Sequence, residues 1–169
     1  GYVEDLLFSD RLNIAKQIPG KEEFWGLVDW YRTLLSRSDV TLMLNTEATV
    51  EALAGFDEVI IATGVTPRDP KIEGQGAPHV LSYIDVLAGK APVGDKVAII
   101  GAGGIGFDVA EYLTHDGEST ALDLERWKAE WGVGDPEIVR GGLAPSGPAP
   151  EAPARHVTLL QRKNERLGR

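Results

Sequence analysis

Lys96-Val97-Ala98-Ile99-Ile100 runs directly into Gly101-Ala102-Gly103-Gly104-Ile105-Gly106. No other stretch constrains the fold as much. Val97, Ile99 and Ile100 favour a buried strand. Beyond the glycines, Ile105, Val109, Ala110 and Leu113 recur at the spacing of one helical face. A lone G-x-G-x-x-G is weak evidence, but between a strand and a helix it predicts a dinucleotide site. Gly101 permits the tight turn, Gly103 lets a diphosphate approach the backbone, and Gly106 lets the helix lie close on the strand. The unpaired amides and positive dipole end of the helix then hold the phosphates.

The second half of such a site is a residue at the end of the next strand. An acid there bonds the ribose 2′-hydroxyl of NAD, and a basic residue accommodates the 2′-phosphate of NADP. A count of about 20 residues past the glycines reaches Asp123 or Glu125. That stretch has a helical pattern, with Leu124, Trp127 and Trp131 on one face and Asp123 as its N-cap. The next strand is Val157-Thr158-Leu159-Leu160, and it ends in Arg162 and Lys163. Two cations suit a dianionic phosphate, so the pattern favours NADP over NAD. Arg166 and Arg169 add to this basic end of an otherwise acidic chain.

Upstream, Phe24, Leu27, Val28, Tyr31, Leu34 and Leu35 form one helical stripe. Val40–Leu44 and Phe56–Ala62 read as strands, and the unbroken apolar run Val59–Ala62 suits a strand covered on both faces. Ser82-x-x-Asp85 predicts a cap opening a short helix through Leu87. Gly141–Arg155, with four prolines, reads as an exposed loop. The four tryptophans are expected in packing roles.

With 17 basic and 26 acidic residues the chain carries a formal charge of −9. That balance argues against nucleic acid or an anionic membrane as partner. No apolar run reaches the roughly 18–20 residues of a membrane span. Zero cysteines removes disulfides, thiolate catalysis and cysteine-held clusters from this chain. These absences fit a cytoplasmic protein. His79, His115 and His156 are scattered and show no metal spacing. Asp108 and Glu111 read as exposed helix charges, with Asp108 as an alternative neighbour of a nicotinamide.

Val59–Gly64 followed by Val65-Thr66-Pro67-Arg68 resembles the segment at which two-dinucleotide flavoproteins pass from an FAD domain to an NAD(P) domain. Asn13–Phe24, Val80–Leu87, Gly103–Ala110 and Leu160–Lys163 together resemble the bacterial type of NADPH-dependent 2,4-dienoyl-CoA reductase, a relative of NADH:flavin oxidoreductases and trimethylamine dehydrogenase-like flavoproteins. The resemblance implies an α/β fold, a Rossmann-like parallel sheet with flanking helices, holding incomplete FAD- and NADP-binding domains. Residues 1–92 would be part of the FAD domain and a crossover. Residues 93–169 would be part of the NADP domain, with an insertion at about 116–155.

The implied function is to pass electrons from NADPH through flavin to an unsaturated acyl-CoA. FMN, a 4Fe-4S cluster and every catalytic residue would lie in other domains of the parent enzyme, so the isolated chain is expected to be inactive. Gly101, Gly103, Gly104 and Gly106 match the NADP turn, and Arg162 and Lys163 the 2′-phosphate clamp. Lys21, Ala48, Thr63 and Gly64 match positions around FAD. No metal ligand is implied. Ser9-Asp10-Arg11 replaces the family's Gly-Gly-Gln, a departure on the flavin side. The alternatives are an amine-dehydrogenase-type flavoprotein or a non-catalytic Rossmann module that self-associates through unpaired sheet edges.

Overall fold

A computed structural model describes residues 10–64 and 66–164. Ser9, Val65, Arg166 and Arg169, each used in the reading above, lie outside the described residues.

Two strands, β1 (Lys96–Ile100) and β2 (His156–Leu160), pair in parallel. The register runs from Lys96 opposite His156 to Ile100 opposite Leu160. Two backbone bonds close the ladder: His156 N–H donates to Asp95 O, and Gly101 N–H donates to Leu160 O, each at 2.8 Å. Parallel strands require a long crossover. Here it consists of α5 (Gly104–Thr114), a 3-10 turn at Thr120–Leu122, α6 (Leu124–Trp131) and the proline-rich loop. The expected α/β architecture is therefore present, and the predicted strand β1 has the expected bounds.

Four further helices precede this unit: α1 (Asp10–Ala15), α2 (Glu23–Ser36), α3 (Val50–Leu53) and α4 (Tyr83–Leu87). The cap at α4 forms as predicted. Ser82 Oγ accepts the Asp85 N–H at 3.1 Å, and the Ser82 hydroxyl donates to Asp85 Oδ2 at 2.7 Å. Asp123 Oδ1 likewise accepts the amides of Glu125 and Arg126, capping α6.

The core lies against one face of the sheet. Ile18, Val86, Leu87, Val109 and Leu113 are buried together, with Val97, Ile99 and Val157 packed on them from the strands. These residues come from both sides of residue 92, so a single core joins the α1–α2 turn, α4 and α5. The other sheet face is open, because α5 covers only one. Val97 and Ile99 are therefore half-buried while Ile100 is exposed, where the sequence predicted burial of the whole strand.

Three expectations change. Val40–Leu44 and Phe56–Ala62 are irregular, with Ile60 88% and Ile61 83% exposed. A strand exists only where a neighbour takes its backbone groups, and the described residues form one two-stranded sheet. Helix α2 buries only Val28 fully, and Tyr31 and Leu34 of its stripe remain exposed. The tryptophans are surface residues rather than core. Trp25 donates its Nε1–H to Lys16 O at 3.1 Å under the Lys16 ammonium, Trp30 stands edge-on to Tyr31, and Trp127 and Trp131 lean together on α6.

Candidate dinucleotide-binding site

The three fingerprint glycines meet different demands. Gly101 has φ +125°, a conformation that penalises any side chain. Gly106 is buried under the turn. A Cβ there would collide with the Gly101 carbonyl oxygen and sit 3.0 Å from its carbon and 3.6 Å from Leu159 Cδ2. Gly103 differs from both. Its φ of −92° suits any residue, and a Cβ there, or at Gly104, would meet nothing within 4 Å. Neither backbone nor packing requires glycine at 103. The emptiness lies at the helix start, where a diphosphate needs close access to the backbone.

Helix α5 begins without a side-chain cap and without an acid in its first turn. Its first backbone bond is from Phe107 N–H to Gly103 O at 3.1 Å. The amides of Gly104, Ile105 and Gly106 come before that bond and form the donor set that an anion can take.

The register brings the second cluster to the same end of the sheet. Leu160 lies opposite Ile100 and accepts the Gly101 N–H. Arg162 and Lys163 follow by two and three residues, exposed, next to the strand end from which the glycine turn departs. Asp123, the naive candidate for the ribose acid, is engaged in capping α6.

The residues matched to a flavin site are not gathered in the same way. Lys21 Nζ forms an ion pair with Asp108 Oδ2 at 2.7 Å, both side chains about one-third exposed at 34% and 32%. Ala48 lies exposed ahead of α3, and Thr63 and Gly64 lie in the exposed irregular run. The glycine turn and the Arg162-Lys163 pair thus lie at the same end of the sheet, whereas Lys21, Ala48, Thr63 and Gly64 are spread over separate segments. Asp108, read from sequence as an exposed helix charge, is instead half-buried and partnered. The only sequence signal for it was its place four residues beyond Gly104, since its partner is 87 positions away.

Among the described residues no cluster of His, Asp and Glu could hold a metal, and no helix is long and apolar enough to cross a membrane.

A cleft of about 570 Å³ lies at the opposite end of α5, lined by Ile18, Trp25, Tyr112, His115, Ser119 and Arg155 among others. It is remote from the glycine turn, and size alone does not mark it as the site. Glu22 is on its rim. Burial opposes ionisation of Glu22, but the Ser119 hydroxyl, the Glu22 and Gly20 amides and the charge of His115 outweigh it. They hold the carboxyl below its ordinary 4.5. A carboxyl lowered in the folded state adds stability above the unfolded value and loses it as pH falls through the folded value. Glu22→Gln should therefore flatten the loss of stability on the acid side of 4.5. Denaturant melts from about pH 6 to 3 measure this, and an unchanged acid slope would contradict it.

Residues 26–168 match the family described as pyridine nucleotide-disulphide oxidoreductase. A cinnamate reductase of Clostridium sporogenes is 39% identical over 104 residues, which are 60% of this chain and 15% of that protein. An NADH oxidase of Thermoanaerobacter brockii is 35% identical over 118 residues, 66% of this chain and 18% of that protein. A solved 2-naphthoyl-CoA reductase complexed with 2-naphthoyl-CoA superposes with a TM-score of 0.54 at 24% identity, covering 90% of this chain and 27% of that one. That likeness bears on the fold alone. The chain spans less than a fifth of these two curated relatives. A strand-turn-helix with an open amide cradle, inside a match that covers most of the sequence, leads to one assignment: the chain belongs to the pyridine nucleotide-disulphide oxidoreductase family.

Proposed function

We propose that this chain is the NADPH-docking part, with a portion of the FAD wall, of a flavoprotein of the 2,4-dienoyl-CoA reductase type. The observation that carries the nucleotide reading is the β1–β2 register. It brings the strand end that precedes Arg162 and Lys163 to the strand end that enters the glycine turn, and Gly103 and Gly104 face space that the protein's own packing leaves empty. In this reading the amides of Gly104, Ile105 and Gly106 bind the diphosphate, and Gly103 keeps the approach clear. Arg162 and Lys163 bind the 2′-phosphate through charge-assisted hydrogen bonds. Gly101 and Gly106 hold the turn in place. When bound, the nicotinamide supplies a hydride and the flavin accepts it; the chain's residues bind and orient. Ala48, Thr63 and Gly64 would face the flavin once the rest of the parent protein completes that side, while Lys21, matched to the same side, is held on Asp108; the reacting carbon–carbon bond would be handled in the parent's other domains.

The acyl-CoA substrate rests on the motifs shared with that reductase type. Relatives named as reductases of cinnamate and bilirubin support a reductive role. A second reading, NADH in place of NADPH, is favoured by the relative named NADH oxidase. Titration of the chain with NADPH and NADH, followed by nicotinamide fluorescence, separates the two. NADPH should bind at least roughly tenfold more tightly, a margin of about 1.4 kcal/mol. Equal affinities would remove the NADPH reading.

A further inference from the structure

The Lys21–Asp108 ion pair has a position that its stability value does not explain. A pair about one-third exposed contributes little to folding, yet this one joins two segments far apart in sequence at the helix that carries the amide cradle. Asp108 follows Gly104 by four residues, so the two share a face of α5. Helical side chains lean toward the N-terminus, so the Asp108 carboxylate lies on the cradle side of its own backbone position, one turn from Gly104. An uncompensated carboxylate there would oppose the anion that the turn is built to receive, well within the screening length of a dilute buffer.

Lys21 is delivered to that point by a built turn. Gly20 has φ +81°, Lys21 N–H donates to Ile18 O at 3.1 Å, and Ile18 is 4% exposed in the core. The neighbouring acid, Glu22, is occupied elsewhere: its Oε1 accepts the Gly20 N–H at 3.0 Å. The ammonium is thus directed to Asp108.

We propose that Lys21 is a positioning residue for the pyridine nucleotide, cancelling the charge of Asp108 so that the start of α5 stays positive. It acts on the nucleotide through Asp108 and not by touching it. This inference rests on the nucleotide reading above.

The test is a double-mutant cycle on the full chain, with NADPH affinity read at low and high salt and thermal unfolding read in parallel. Lys21→Gln should weaken NADPH binding by roughly three- to tenfold at low salt, and the loss should shrink as salt rises. Lys21→Gln/Asp108→Asn should return to near the wild-type affinity, and Asp108→Asn alone should bind at least as tightly as wild type. Lys21→Arg should retain the affinity. A double variant as weak as Lys21→Gln would overturn the proposal, because it would mean that Lys21 touches the nucleotide or only braces the fold. Weaker binding by Asp108→Asn would overturn it equally, and that arm decides the matter if Lys21→Gln fails to fold. Failure of wild type to bind either NADPH or NADH would instead strike the nucleotide reading, and the pair's role with it. Wild-type binding with no effect of Lys21→Gln would strike this inference alone.

Discussion

Gly106→Ala should unfold the strand-turn-helix corner, whereas Gly103→Ala should leave it folded and poor at binding nucleotide. The added methyl at 106 has no room. It meets the Gly101 carbonyl oxygen, and that carbonyl cannot step aside easily, because its own residue is held by the bond from Gly101 N–H to Leu160 O. Relief would require lifting α5 off the sheet, and α5 supplies Val109 and Leu113 to the core. The expected cost is on the order of 3 kcal/mol or more, at the upper end of overpacking effects. At 103 the same methyl enters open space on a backbone that tolerates it. Its cost to folding should stay within about 1 kcal/mol, the range for losing glycine at an N-cap. Nucleotide affinity should nevertheless fall by roughly tenfold or more, since the diphosphate loses its close approach to the amides. Denaturant melts and NADPH titrations on the two variants check both halves. A Gly103→Ala chain that binds NADPH normally would remove the diphosphate from this turn.

The Arg162→Ala/Lys163→Ala double variant should lose NADPH affinity by roughly 10- to 100-fold, about 1.4–2.8 kcal/mol. Its NADH affinity should change little. The two nucleotides differ by one phosphate, and both residues follow β2 at the end of the sheet where the glycine turn begins. Because the contact is ionic and exposed, the loss should be largest in dilute buffer. Parallel weakening of NADH and NADPH would mean that these cations act on the shared diphosphate instead of the 2′-phosphate. No change for either nucleotide would remove both residues from the nucleotide site.

The pattern of what could be foreseen has a physical origin. β1, α5, the Ser82 cap and the Asp123 cap were legible because each is written in adjacent residues: apolar alternation, helical spacing, or an oxygen two or three positions ahead of the amides it accepts. The strand-like runs at Val40–Leu44 and Phe56–Ala62 misled because composition reports the wish for a neighbour and not its presence. Ile60 and Ile61 remain in solvent. The tryptophans misled for a related reason, since amphipathic spacing in α2 and α6 marks an apolar face without saying that anything covers it.

From the chain of letters alone came the strand-glycine-helix turn, the conformational demand at Gly101, the packing demand at Gly106 and the two basic residues after the last strand, because local steric and hydrogen-bonding rules dictate them. Only the tertiary structure decided that the strand preceding those basic residues ends beside the strand that enters the turn, since a parallel register joins segments some sixty positions apart. It alone also paired Lys21 with Asp108. Ion pairs across such distances depend on how the core around Ile18 and Val109 brings the backbone together, and no local pattern encodes that meeting.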